Sequence, residues 1–362
     1  MNKRFNGQLL SLARQVRRLS QADLVALTDG AITQGTLSKI EQGQIQPQDE
    51  IVERIAAALR LRTSFFFDGV YVRQPLVSYH RKRQKLSVRD EESVHALAEV
   101  FRINLRKCLD AVEIETTLPS VPAIDPEEFS GEIEEIAAAV RQRWALPKGP
   151  IADLTRLVED AGVLIVAFDF GSPLIDGFCQ FGGDGLPPFV FMNTLQPKDR
   201  YRFSLAHELG HLVMHRTPSQ TQELEANRFA SELLMPTRDI RHDFEHHSLT
   251  RFMDLKRYWG VSMQALIYKA WQIGVLTDRM YKYYLIEMSK RGWRKVEPVE
   301  ASHLIEEPAT LKWIISAHLD ELGYSATDLG EMFGLHDGDL LSLYPLPRQR
   351  PRLRLVKNGS SI

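Results

Sequence analysis

Residues Arg202 to His215 read RFSLAHELGHLVMH. Within them, His207-Glu208-Leu209-Gly210-His211 sets two histidines four apart, with a glutamate beside the first. Leu205, Leu209, Leu212 and Val213 recur at helical spacing, which predicts a buried helix. Residues four apart lie one above the other on a helix face. Both imidazoles can then grip one metal ion from one side, and Glu208 can reach the open side, where a water would sit. Zinc lowers the pKa of such a water toward about 7. A carboxylate beside it can take the proton and hand it to a leaving amine. The plainer reading of the same residues is two histidines satisfied in a core.

A catalytic zinc commonly takes three protein ligands plus water. The next candidates lie in QELEANRFASELLMP, Gln222 to Pro236, a second helical pattern ended by proline. Glu223 and Asn227 are four apart, so one can ligate while the other supports a histidine from behind. Glu225 is the rival ligand. It points roughly 200° from Glu223 around the helix, so only one of the two can serve, and Glu223 is the favoured choice. His215 lies eight residues beyond His207, about 12 Å along the axis. Bonds near 2 Å cannot span that distance, so His215 is expected behind the site or on the surface.

The motif LAHELGH after Arg202-Phe203, followed by E-x-E-A-N-x-F-A-x-x-L-L-M-P, resembles the ImmA/IrrE family of metallopeptidases. The resemblance implies a zinc-type endopeptidase whose targets are usually repressors. His207, His211 and Glu223 would hold the metal, Glu208 would be catalytic, and Asn227 would stand behind the ligands. Zinc suits two imidazoles and a carboxylate best, with manganese left open.

The N-terminal stretch has a different pattern. Phe5 to Leu19 reads as an amphipathic helix, Ser20 as the cap of a short helix Gln21–Leu27, and Asp29-Gly30 as a break. A third helix runs from about Thr33 to Gln42, and a fourth follows Pro47 with Ile51, Ile55, Ala56 and Leu59 as its stripe. Two short helices joined by a glycine-containing turn form a helix-turn-helix, whose second helix enters a DNA major groove. The stretch SQADLVALTDGAITQGTLSKIEQGQIQPQDEIVERIAAAL resembles the XRE family of Cro-type regulators, most specifically in its L-S-K-I-E-x-G string. That resemblance implies that Thr33, Gln34, Gly35, Thr36 and Lys39 face bases or phosphates, while Gln21 pins the DNA backbone. The local charge is mildly basic, through Arg14, Arg17, Arg18 and Lys39. Modest affinity per monomer, raised by a homodimer on a two-fold operator, is the expectation. The alternative is a helical domain for protein contact.

Totals set the remaining bounds. The chain has 362 residues and a formal net charge of −2, so DNA binding must come from a local patch. Its two cysteines, Cys108 and Cys179, exclude a disulfide scaffold and fit a reducing cytoplasm. No apolar run reaches the length of a membrane span, so no membrane association and a cytoplasmic location are expected.

Between and beyond these stretches, Arg81 to Lys85 is a short basic run, read as a solvated face. Glu91 to Glu113 is a long helix expected to join domains or to pair with its copy. Leu118 to Asp125 is a Pro-containing linker. Gly162–Phe170, Phe178–Phe181 and Phe189–Asn193 are strands, with Gly182 to Gly185 as a turn. An edge strand at residues 189–193 could hold an extended peptide substrate. Leu255 to Val275 reads as two helices broken at Gly260-Val261-Ser262, packing beneath the metal site. Pro308 to Leu346 is a last helical unit, read as a capping or dimer module, with a basic tail after Arg348.

The expected fold is α+β and mostly helical. The division is a helix-turn-helix domain at 1–68, a helical linker or dimerisation region at 69–125, a zincin-like metallopeptidase domain at 126–300, and a helical module with tail at 301–362. Function is expected to be operator binding on double-stranded DNA joined to metal-dependent cleavage of a repressor-type protein or of the chain itself. The alternative is a regulator whose peptidase-like domain senses a metal or ligand without cutting.

Overall fold

A computed structural model describes residues 4–69, 72, 87–196, 198–294, 296–298 and 306–344. The basic run Arg81 to Lys85 and the tail after Arg348 lie outside the described residues.

The first four helices are α1 (Gly7–Val16), α2 (Gln21–Leu27), α3 (Gln34–Glu41) and α4 (Asp49–Ala58). Local chemistry sets their starts. Asn6 caps α1, Ser20 and Asp23 form a reciprocal capping box on α2, and the Thr33 side chain accepts from Thr36 N at the start of α3. Asp29 and Gly30, both with positive φ, turn the chain between α2 and α3. Leu9, Leu12, Leu24, Leu37, Ile40 and Ile55 close the core of this head.

The next helix, α5 (Val88–Leu109), is no free connector. Val94, Ala98, Phe101, Ile103 and Leu105, and even Glu99, Arg102 and Asn104, are buried along it. Three bodies surround it. Ser93 Oγ donates to the Val16 carbonyl of α1 at 3.0 Å. The Phe101 ring lies 5.3 Å from Phe168 in the sheet and 5.1 Å from Tyr344 near the C-terminal end. Glu99 and Arg102 pair at 2.6 Å inside this packing. The helix is thus packed between the head, the sheet and the C-terminal helices.

Helices α6 (Ile133–Arg143) and α7 (Leu154–Asp160) lead into a sheet of β1 (Leu164–Phe168), β2 (Gly177–Gln180) and β3 (Phe189–Asn193). Its order is β1-β3-β2, with β1 parallel to β3 and β2 antiparallel to it. Residues 189–193 are therefore the central strand, not an edge. Their backbone hydrogen bonds are spent on both neighbours, and an added peptide strand would need the outer side of β1 or β2.

The sheet divides two cores by the two-residue alternation of a strand. Leu164, Val166, Phe168, Phe178, Phe189 and Phe191 join the core shared with α5 and the N-terminal head. Ile165, Cys179, Val190 and Met192 face the opposite core. That second core holds α8 (Lys198–Met214), α9 (Gln222–Leu234), α10 (Thr237–Ile240), α11 (Leu249–Trp259), α12 (Met263–Gln272) and α13 (Asp278–Lys290). The expected break appears between α11 and α12, where Gly260 is left-handed and Ser262 caps the next helix. The linker expected at 118–125 is docked on this half. Ile124 N donates to the Val213 carbonyl, and Trp144 Nε1 donates to the Pro119 carbonyl.

The last helices, α14 (Thr310–Ser316), α15 (Ala326–Phe333) and α16 (Asp337–Leu343), return to the first core. Arg62 ties them to the head: its backbone N donates to the Gly334 carbonyl and its Nε to the Leu335 carbonyl. No helix among the described residues is long and apolar enough to cross a membrane.

Candidate metal centre and nucleic-acid interface

On α8, Leu205, Leu209, Leu212 and Val213 bury one stripe, and this turns His207 and His211 toward α9. Gly210 permits a close crossing. A Cβ there would stand 3.3 Å from Ala226 Cα and 3.0 Å from Phe229 Cδ1 on α9. Glu223, on the first turn of α9, thereby reaches the histidines.

His207 Nε2 and His211 Nε2 are 3.1 Å apart. Glu223 Oε2 is 3.5 Å from the first and Oε1 is 3.3 Å from the second. Two ligands at roughly 2 Å from one cation, with a tetrahedral angle between them, stand about 3.3 Å apart. The histidine nitrogens stand at about that separation, and each faces a Glu223 oxygen at a similar distance, so the three side chains converge on a space of cation size. The donor set fits a divalent cation in charge as well. Burial holds the His211 ring neutral, with its pKa lowered to about 4. Burial opposes ionisation of Glu223, but hydrogen bonding from the facing histidines, His207 first, outweighs it and holds its carboxyl well below the usual range. Metal ligands must be deprotonated in this way. Both Glu223 oxygens are buried without a closer hydrogen-bond partner.

Glu208 is 3% exposed, and its Oε2 is buried with no hydrogen-bond partner. Burial first, then the charges of Glu223 and Asp176, push its pKa well above the usual carboxylate value. Beneath it runs β2. A Cβ on Gly177 would meet Met192 Sδ and the Phe191 carbonyl at 2.9 Å and Glu208 Cγ at 3.6 Å. Cys179 on the same strand is buried, and Glu208 contributes to the rise of its thiol pKa. Neither Asp176 nor Cys179 stands out in the sequence, because only the pairing of β2 with β3 brings them to α8.

Asn227 sits differently from its expected place. Asn227 Nδ2 donates to the Glu223 main-chain carbonyl at 2.6 Å, one turn back on its own helix. It braces the turn that carries Glu223 and does not reach a histidine. His215 is 2% exposed and lies behind His211, with Nδ1 to Nδ1 at 2.9 Å. Glu225 meets His215 Nε2 at 2.9 Å. The two glutamates serve different histidines of α8, which accommodates both despite their angular separation.

In the head, Gln34, Gly35 and Lys39 are exposed on α3, and Thr33 and Thr36 share a hydroxyl contact of 2.9 Å at its start. Gln21 Nε2 donates to Glu41 Oε2 at 2.8 Å. Two of the arginines expected to supply basic charge are committed internally. Arg14 Nε and Nη2 donate to Glu41 at 2.7 and 3.1 Å. Arg18 pairs with Asp90 at 3.3 Å, and its Nη2 donates to the Phe170 carbonyl. Burial lowers the Arg17 pKa, and Asp339 partly offsets this. The basic patch offered to DNA is therefore smaller than the sequence suggests, with Lys39 as its exposed member on α3.

A helix-turn-helix head with an exposed third helix, packed on a body that carries an H-E-x-x-H helix and an acidic partner helix, defines the class: a DNA-binding protein with a metallopeptidase-like domain. Comparison with family models agrees. Residues 10–66 match the helix-turn-helix family and residues 158–270 match the IrrE N-terminal-like domain. The two matches follow one another in one chain, as the two sequence resemblances do. No curated protein matches the chain.

Proposed function

We propose that the chain is a transcriptional regulator that binds an operator through α3, as a homodimer on a two-fold site, and carries a metal-dependent endopeptidase acting on a repressor-type protein. The observation that carries the peptidase half is the cluster of His207, His211 and Glu223, one ligand atom of each within 4.8 Å of the others, and the buried Glu208 beside it. His207, His211 and Glu223 would hold a divalent cation, zinc by ligand chemistry, which would supply Lewis acidity toward a water and a peptide carbonyl. Glu208 takes a proton from the attacking water and returns it to the leaving amine. Cys179, Gly177 and the apolar residues around α8 exclude bulk water from the carboxylate, which strengthens its electrostatic influence.

The test is mass spectrometry of the purified, zinc-loaded protein incubated with repressors encoded beside its gene. Cleavage that stops with chelator and with Glu208→Gln supports the proposal. Equal cleavage by the Glu208→Gln variant rejects it.

A second reading, a sensor that shifts operator affinity without cutting, is favoured by one contact. Arg18 of the head donates to the Phe170 carbonyl at 3.1 Å, in the loop between β1 and the strand that underlies Glu208. Operator affinity that changes on chelation in the Glu208→Gln variant, with no fragment formed from any repressor, supports this reading over the first.

A further inference from the structure

His207, His211 and His215 lie at successive four-residue intervals on α8, but the third is too far along the axis to share an ion with the first. Its contacts give it another task. His211 turns Nε2 toward His207 and Glu223, at 3.1 and 3.3 Å, and turns Nδ1 toward His215 Nδ1 at 2.9 Å. His215 then presents Nε2 to Glu225 Oε2 at 2.9 Å. Both rings are buried, at 0% and 2% exposure.

A neutral imidazole carries one proton on one nitrogen, and a carboxylate only accepts. Glu225 therefore requires the His215 proton on Nε2. His215 Nδ1 is then an acceptor, which requires the His211 proton on Nδ1. His211 Nε2 is left with its lone pair on the side of His207 and Glu223. The opposite arrangement would set the His215 Nε2 lone pair against the carboxylate and place a proton of His211 where a cation would bind. With neutral rings and an ionised Glu225, this pattern satisfies the contacts from His211 Nδ1 to Glu225, and a cation between His211 Nε2, His207 and Glu223 would take the place of the proton that Nε2 lacks.

We propose that Glu225 and His215 are positioning residues that lock His211 in its Nδ1–H form, with Nε2 aimed at the metal. The proposal rests on the metal reading of the site. Glu225, a candidate ligand by sequence, becomes the anchor of a relay behind a ligand. Such supporting contacts typically govern metal affinity by about 10- to 100-fold.

The test uses the full-length protein in equilibrium competition with a chromophoric zinc chelator. His215→Phe keeps a ring of similar shape and removes both nitrogens. Glu225→Leu removes the anchor at a partly exposed position, so folding is retained there even if the buried substitution disturbs it. Each is expected to weaken zinc binding by about 10- to 100-fold. The double variant is expected to be no weaker than His215→Phe alone, because the two act in series. Glu225→Gln, which keeps an acceptor oxygen, is expected to recover part of the loss. Nitrogen-15 spectra of the metal-free protein give a second readout. His211 is expected as the Nδ1–H tautomer in wild type and as a mixture in Glu225→Leu. His207→Ala serves as the control. If it retains wild-type zinc affinity, the metal reading itself is wrong. If it loses zinc while Glu225→Leu retains both wild-type affinity and a single His211 tautomer, the relay is overturned and the metal site stands.

Discussion

Gly210 Cα faces Phe229 so closely that an added methyl would stand 3.0 Å from the ring. This glycine sits between His207 and His211 in sequence, and it lets α8 and α9 approach closely. An alanine gains helix propensity, about 1 kcal/mol, but asks Phe229 to yield. A valine overpacks the crossing, a change that costs about 1–3 kcal/mol. Gly210→Ala is expected to melt within a few degrees of wild type. Gly210→Val is expected to melt lower and to bind zinc at least about tenfold more weakly, because Glu223 is carried away from the histidines. Thermal melts and chelator competition read the two effects separately. Wild-type zinc affinity in the valine variant would show that the crossing does not set the site.

Glu208 and the ligands answer to different tests. Glu208→Gln preserves the shape of the side chain and removes its ability to take a proton. Zinc affinity is expected to stay within about twofold of wild type, while hydrolysis falls by about 10²–10⁴-fold, the usual worth of a positioned base. A parallel loss of zinc would mean that Glu208 ligates, and the roles assigned here would have to be exchanged.

Among the head's basic residues, Lys39 and Arg14 should separate cleanly. Lys39 is exposed on α3. Lys39→Ala is expected to weaken operator binding and to reduce the salt dependence by about one ion per subunit. Arg14 holds Glu41, with side chains 13% and 8% exposed. Its removal leaves a mostly buried carboxylate without its cation and with Gln21 as the remaining donor, at a cost of at most about 3 kcal/mol. Arg14→Ala should lower the melting temperature and leave the salt slope of the residual folded protein unchanged. An altered slope would place Arg14 on the DNA.

Much of this was legible in the chain, for identifiable reasons. Helix starts at Ser20 and Thr33 and the break at Gly260 are written in local capping and turn chemistry. The H-E-x-x-H spacing projects directly onto one helix face. What was not legible depends on tertiary packing. The sequence of α5 reads as an ordinary amphipathic helix, and nothing local says that its polar residues Glu99, Arg102 and Asn104 are also enclosed. The strand at Phe189–Asn193 is recognisable as a strand, but its central position follows from a crossover. The destination of Glu225 depends on how α9 crosses α8, which a helical wheel of one helix does not contain.

The two thiols should be inert in the folded protein. Burial pushes Cys108 up to about 12 and raises Cys179 well above its ordinary value, with Glu208 adding to the rise. The thiolate is the reactive form. Iodoacetamide at pH 8 is expected to label neither residue until denaturant is added. Rapid labelling of Cys179 in native protein would mean that β2 opens away from α8.

Acid should loosen the joint between α5 and the sheet. The His95 ring packs 5.0 Å from Phe178, and burial lowers its pKa from the ordinary 6.5 to about 4. Between these values the unfolded chain binds a proton at this side chain that the folded chain refuses. Stability is therefore complete above about pH 6.5 and is lost as the pH falls toward 4. The largest loss is on the order of 3 kcal/mol. His211 titrates in the same direction in metal-free protein, so the contrast with a variant isolates the contribution. His95→Leu cannot take up the proton. Its urea midpoint is expected to fall less steeply than that of wild type between pH 6.5 and 4, whatever its stability at pH 8. Parallel slopes for the two proteins would show that His95 keeps its ordinary pKa, and that the contact with Phe178 does not exclude water from the ring.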